Sequence, residues 1–268
     1  MKNIKINDWA SLFVKVYGDK AIITIAGFLT ALFSDWIFKQ RWCMPLIFLY
    51  GKPATGKTEQ CKSILTMLAK KEHSLINLTH YTTTEAKNSL KMDNSFVLFD
   101  EYNNSLCDDW IEFMKNIYVR QGMRTIKKGG AIEDASINSM AFICGQEIPS
   151  DIALFSRCVF LSFQEIKYSK KAQKNYERLK TIEALANTNE IICHRQIIEI
   201  GYMDEFYKIE KEISNECEKN TDDRVIRNYA TLITTYKLLQ DVLGFEVKYE
   251  KLKEISVQCI KEQMMVMK

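Results

Sequence analysis

The chain has 268 residues, 47% of them hydrophobic, which is enough for a sizeable core and excludes disorder as its dominant state. A formal net charge of +3 is too small to argue for a nucleic-acid partner, so local clusters must carry any such case. Eight cysteines without a CxxC pair, and three histidines without short metal-ligand spacing, exclude an evident zinc site and point to reduced, mostly buried thiols.

Residues 1–44 read as an N-terminal helical segment packed on the core, with one helix around Trp9–Tyr17 and a second from about Lys20 to Lys39. The start, MKNIKINDWA, lacks the apolar stretch of a secretory leader. Ala21 to Phe33 is apolar throughout, but Asp35 interrupts it well short of the roughly 20 residues a membrane span needs. A buried core helix, no membrane and a cytoplasmic chain are the expectations.

Residues 45–168 alternate short apolar runs with helical patterns. Strands are expected at PLIFLY (45–50), SLINLT (74–79), SFVLFDE (95–101), SMAFICGQE (139–147) and RCVFLSF (157–163). Helices are expected from Lys57 to about Lys71 and over DDWIEFMKNIY (108–118), the latter with an acidic first turn. This alternation predicts an α/β fold with a parallel sheet covered by helices on both faces. HYTTTEAKNSLK (80–91) is polar and hydroxyl-rich, either a substrate-facing loop entering a short helix or a plain connection. Residues 169–268 carry no strong strand signal and predict a helical C-terminal subdomain, with Val225, Ile226, Tyr229, Leu232, Ile233, Tyr236 and Leu239 at helical spacing. The chain stops within a helical pattern, KEQMMVMK, as a piece of a longer protein would.

The chemistry concentrates in LYGKPATGKTEQ. Gly51, Lys52, Pro53, Ala54, Thr55, Gly56, Lys57 and Thr58 fit the pattern G-x-x-x-x-G-K-[ST], between a strand and a helix. Glycines let successive backbone N–H groups turn inward toward phosphate oxygens, and the next helix presents its positive end to the same anion. Lys57 supplies a mobile charge, Thr58 offers a hydroxyl to Mg²⁺, and Glu59 completes the predicted nucleotide-binding stretch. FVLFDEY then carries Asp100 and Glu101 to a strand's C-terminal end, where ligands bind in such sheets. Asp100 is the candidate metal ligand with Thr58, and Glu101 the candidate base for an attacking water.

The order of phosphate loop, DE strand, polar strand end and arginine resembles the AAA+ class of P-loop ATPases. Within it the chain looks most like superfamily-three helicases and the helicase part of phage, viral and mobile-element primase-helicases, over about residues 40–165. The resemblance implies an AAA+-like P-loop fold, ATP and Mg²⁺ as nucleotide and cofactor, and hydrolysis. It implies that Gln146, at the end of SMAFICGQE, touches the γ-phosphate or positions water; the class more often has asparagine there. It implies that Arg157 reaches into a neighbouring subunit's nucleotide, hence a homo-oligomer, commonly a hexameric ring. It also gives a role to VRQGMRTIKKGGAIEDASIN, where Gly129–Gly130 suits a hairpin turn: Arg120, Arg124, Lys127 and Lys128 would grip single-stranded nucleic acid. The alternative is a solvated hairpin whose lysines keep an edge soluble. Arg224 and Arg227 are either nucleotide-sensing lid residues or ordinary helix-surface arginines.

The function expected is a helicase-like ATPase in replication of a phage or mobile element, with a primase or initiator protein as a further partner. The alternatives are an AAA+ ATPase that remodels or loads a protein, including one of anti-phage defence, or a low-turnover nucleotide-dependent assembly module.

Overall fold

The structure is a computed structural model and describes residues 4–67, 75–126, 132–163, 170–182 and 188–268. In chain order the elements are α1 (Ile6–Tyr17), α2 (Ala21–Leu32), α3 (Ser34–Arg41), β1 (Leu46–Tyr50), α4 (Lys57–Met67), β2 (Leu75–Asn77), α5 (Thr83–Ser89), β3 (Phe96–Tyr102), α6 (Asp108–Tyr118), β4 (Met123–Ile126), β5 (Ile132–Ala135), β6 (Met140–Gly145), α7 (Ile152–Phe155), β7 (Cys158–Ser162), α8 (Lys170–Lys180), α9 (Asn189–Ile192), α10 (Arg195–Glu216), α11 (Asp223–Leu239) and α12 (Tyr249–Met267).

Five parallel strands form a sheet in the order β2-β3-β6-β1-β7. Because side chains alternate across a strand, each apolar run feeds both faces. Ile47, Leu49, Phe96, Leu98, Phe142 and Leu161 join one core with α1, α2, α4, α10, α11 and α12. Phe48, Val97, Phe99, Ile143 and Phe160 join the other with α5, α6 and α7. This is why the strand sequences are continuously apolar rather than alternating.

The N-terminal segment departs from expectation. The apolar stretch and the residues after it form two helices, not one, bent by 87° between α2 and α3. The break is at buried Phe33, whose φ of −119° and ψ of 16° leave the helical region. Every residue of α2 is buried. It lies close against the sheet at Gly27, where a Cβ would stand 2.0 Å from Ile47 Cδ1. Among the described residues no single helix is long and apolar enough to cross a membrane; the bent pair α2–α3 passes by length and composition, as buried core helices do.

The C-terminal helices close the β7 edge. The Tyr229 hydroxyl of α11 accepts from Phe160 N at 3.0 Å and donates to Phe160 O at 2.9 Å. Gln263 Nε2 of α12 donates to Phe155 O at 2.9 Å and Cys158 O at 3.0 Å. An edge strand's unpaired backbone groups are thus satisfied by side chains rather than left open for another chain. β4 and β5 pair as an antiparallel hairpin, Ile126 opposite Ile132. α5 begins with a capping box in which Thr82 and Glu85 satisfy each other's backbone N–H groups.

Candidate active site

β1 ends at Tyr50, and the chain turns through Gly51–Gly56 into α4. Two glycines are needed here for different reasons. At Gly51 a Cβ would stand 2.6 Å from the Phe163 carbonyl oxygen, so only glycine lets the loop leave the strand this way. Gly56 has φ 85°, a left-handed backbone that turns the loop into the helix. Ala54 adopts φ 61° without that freedom.

The loop encloses a cavity of about 220 Å³. Pro53, Ala54, Thr55, Gly56, Lys57, Thr58 and Glu59 line one side, and Asp100, Glu101, Cys144, Gly145 and Gln146 the other. The sheet order explains the meeting: β6 lies between β1 and β3, so all three C-terminal ends open on one side. Gly51 N donates to Gly145 O at 3.2 Å, tying the loop to the end of β6.

Lys57 is buried, and its ammonium donates to Gly51 O at 2.7 Å, Lys52 O at 2.8 Å and Thr55 Oγ1 at 3.2 Å. Burial pulls its pKa below the usual lysine value, partly offset by Cys144, Asp100 and Glu101. Thr58 Oγ1 donates to Asp100 Oδ1 at 3.1 Å, and Glu101 N donates to the same oxygen at 3.1 Å. Glu101 is exposed and sits at φ 65° where the β3–β6 register slips between Phe99 and Tyr102. A bulge at a strand end re-aims a side chain, and a non-glycine residue in left-handed backbone stores strain of the kind that gathers at functional sites. Gln146 is exposed, one residue beyond β6. Glu59 accepts from the Tyr176 hydroxyl at 3.1 Å, which fastens α8 to the first turn of α4.

The donors suit a magnesium-bound polyphosphate. A hydroxyl and a carboxylate oxygen already 3.1 Å apart match a hard cation that takes one or two protein oxygens and fills its shell with water and phosphate. Among the described residues no group of three or more His, Cys, Asp or Glu offers an all-protein metal cage.

The remaining candidates lie elsewhere. Arg157 precedes β7, and Cys158 pairs with Leu46 while Ser162 pairs with Tyr50. Arg157 is therefore at the opposite end of the sheet from the cavity, separated by roughly 13 Å of strand. Its guanidinium donates to Ala153 O and lies 5.6 Å from the Tyr118 ring centroid. Arg224 is on the same side, donating to Ser156 Oγ at 2.8 Å, and Arg227 pairs with Glu210 at 2.7 Å; neither lines the cavity.

Arg120 departs from the expectation of a free cation on the hairpin arm. Its guanidinium stacks 4.9 Å over Phe38 and donates to Asn138 O, joining the two ends of the hairpin. Burial lowers its pKa to about 10, against the pull of Asp35 and Asp93. Arg124 belongs to β4, and Lys127 and Lys128 lie outside the described residues. Cys144 and Gly145 were not among the sequence candidates. The reason for glycine at 145 emerges only in the structure: a Cβ there would meet Phe48 and Tyr102 at 3.0 Å, so it permits close packing beside the cavity.

No family model and no curated protein matches the sequence. Solved structures do share its fold. The active helicase Cch of SCCmec type IV matches with a TM-score of 0.72 at 13% identity, over 98% of this chain and 52% of that one. A putative ATPase from Cytophaga hutchinsonii matches with a TM-score of 0.52 at 10% identity, over 92% of this chain and 87% of that one. The chain spans about half the length of the helicase it matches.

Proposed function

We propose that this chain is a magnesium-dependent ATPase of the AAA+ class, similar to superfamily-three helicases, and the motor of a protein that moves single-stranded nucleic acid in phage or mobile-element replication. The observation that carries it is the meeting of Lys57, Thr58, Asp100, Glu101 and Gln146 round one cavity, on a fold shared with an active helicase. The loop N–H groups and Lys57 bind the β- and γ-phosphates. A magnesium ion held through Thr58 and Asp100 would offset charge on the phosphate oxygens. Glu101 orients a water and takes its proton as the oxygen attacks the γ-phosphorus. The bond to the bridging oxygen then breaks, releasing ADP and phosphate. Gln146 both donates and accepts, which suits it to hold that water or a γ-phosphate oxygen. Arg157 lies too far from its own cavity to act there, so the role the resemblance gives it would be exerted on the nucleotide of a neighbouring subunit. Arg124, Lys127 and Lys128 contact the nucleic-acid backbone from the hairpin.

ATP turnover with and without single-stranded DNA tests this reading. Lys57→Ala should abolish nucleotide binding. Glu101→Gln should bind ATP yet turn over about 10²–10⁴-fold more slowly. The double change Lys127→Ala, Lys128→Ala should bring stimulation by DNA close to none. Turnover indifferent to Glu101→Gln would refute the hydrolytic assignment, and stimulation indifferent to the lysines would favour a protein substrate.

A further inference from the structure

Two thiols stand behind the phosphate loop and take no part in the chemistry above. Cys61 is on α4, one turn after Lys57, and Cys144 is on β6, next to Gly145. Both are buried, and their Sγ atoms are 3.9 Å apart. Cys144 is nevertheless part of the cavity wall, near enough to Lys57 for its sulfur to interact with the ammonium. A small oxidant entering the phosphate cavity therefore meets Cys144 first, with Cys61 directly behind it.

We propose that Cys61 and Cys144 form a peroxide-oxidisable pair whose disulfide fastens α4 to β6 and disables the phosphate loop. Cys144 ionises and its thiolate attacks one oxygen of hydrogen peroxide; the O–O bond breaks, hydroxide leaves and takes up the proton the thiol released to become water, and Cys144 becomes a sulfenic acid. Cys61 sulfur then attacks the Cys144 sulfur, its proton and the sulfenic hydroxyl leave as a second water, and the disulfide forms. Cys144 lines the cavity and Cys61 stands behind it, so Cys144 is the initiating partner and Cys61 the resolving one. A disulfide brings the sulfurs to about 2.05 Å, so the pair must close by nearly 2 Å. Lys57 is one turn from Cys61, and Gly145 and Gln146 come directly after Cys144, so this closure acts on both walls of the cavity. The consequence for binding rests on the nucleotide reading; the thiol chemistry does not.

The test exposes the full reduced chain to hydrogen peroxide, alkylates it, and maps linked peptides by mass spectrometry. A Cys61–Cys144 peptide is expected, formed more slowly when a non-hydrolysable ATP analogue and magnesium fill the cavity. Affinity for a fluorescent ATP analogue should fall by at least about tenfold on oxidation, as expected when binding groups shift by about an ångström, and return with dithiothreitol. Cys61→Ser should leave a sulfenic acid on Cys144 that dimedone labels; the wild-type peptide map does not depend on that variant folding. Oxidation of exposed Cys107 and Cys193 without the Cys61–Cys144 link overturns the pair, and a link with unchanged nucleotide affinity overturns the disabling of the loop. If the reduced chain binds no nucleotide, the ATPase reading fails while a mapped link still stands.

Discussion

Glu101 combines two properties that conflict in an ordinary strand residue: a carboxylate at the cavity and a φ of 65°. A left-handed backbone costs a residue with a Cβ about 1–2 kcal/mol, and glycine escapes this. Glu101→Gly and Glu101→Ala both delete the carboxylate, so they differ in backbone alone. The glycine variant should be the more stable by about 1 kcal/mol in urea unfolding, and on the proposed ATPase reading hydrolysis is lost in both. Equal stability would mean that the bulge relaxes when the side chain is removed. The DE pair is plain in the sequence, as a strand's acidic end after a phosphate loop. The strain is not, because it arises from a register slip against β6. Arg120 teaches the complementary point: a cation beside a basic hairpin looks free, until Phe38 and Asn138 are seen to hold it.

Between elements, a few buried or half-buried polar links fix how the helices and strands meet. Tyr229 satisfies both backbone groups of Phe160 with one hydroxyl. Tyr229→Phe leaves a buried donor and acceptor without it, and should lower stability by about 1–3 kcal/mol by chemical denaturation. A second link joins α3 to α10, where Arg195 makes two hydrogen bonds to Asp35, at 3.1 and 2.7 Å. Burial alone would raise the Asp35 carboxyl, but the hydrogen bonds and charge of Arg195 outweigh it and hold the group below its ordinary value. A depressed carboxylate contributes stability above its unfolded pKa of about 3.9 and loses it as pH falls through the lower folded value. Arg195→Ala should therefore cost about 1 kcal/mol at neutral pH, and the gap to wild type should shrink as pH drops below about 4. A gap independent of pH would assign the effect to packing.

For the molecule as a whole, the cavity and Arg157 mark opposite ends of one sheet. A single copy cannot bring them together, so any action of Arg157 on a nucleotide needs a second copy. If Arg157 acts across such a junction, Lys57→Ala and Arg157→Ala are each inactive yet complementary. Mixing them should restore measurable ATP turnover, because some junctions then pair an intact loop with an intact arginine. Mixtures no more active than either variant alone would remove Arg157 from the reaction. Arg157→Ala by itself should reduce turnover by about 10³-fold or more, the scale of a guanidinium that stabilises a transferring phosphoryl group.

The residues alone were enough to read the five core strands, the glycine-bearing loop between β1 and α4, and the helices of the C-terminal region. Those features rest on local rules: runs buried on both faces are continuously apolar, glycine positions follow turn geometry, and packed helices repeat near every 3.6 residues. The bend at Phe33, the tyrosine that seals the β7 edge, the inward Arg120 and the thiol pair behind the loop emerged only in three dimensions. Each depends on contacts between residues far apart in the chain, and no local pattern encodes which distant partner a side chain will meet.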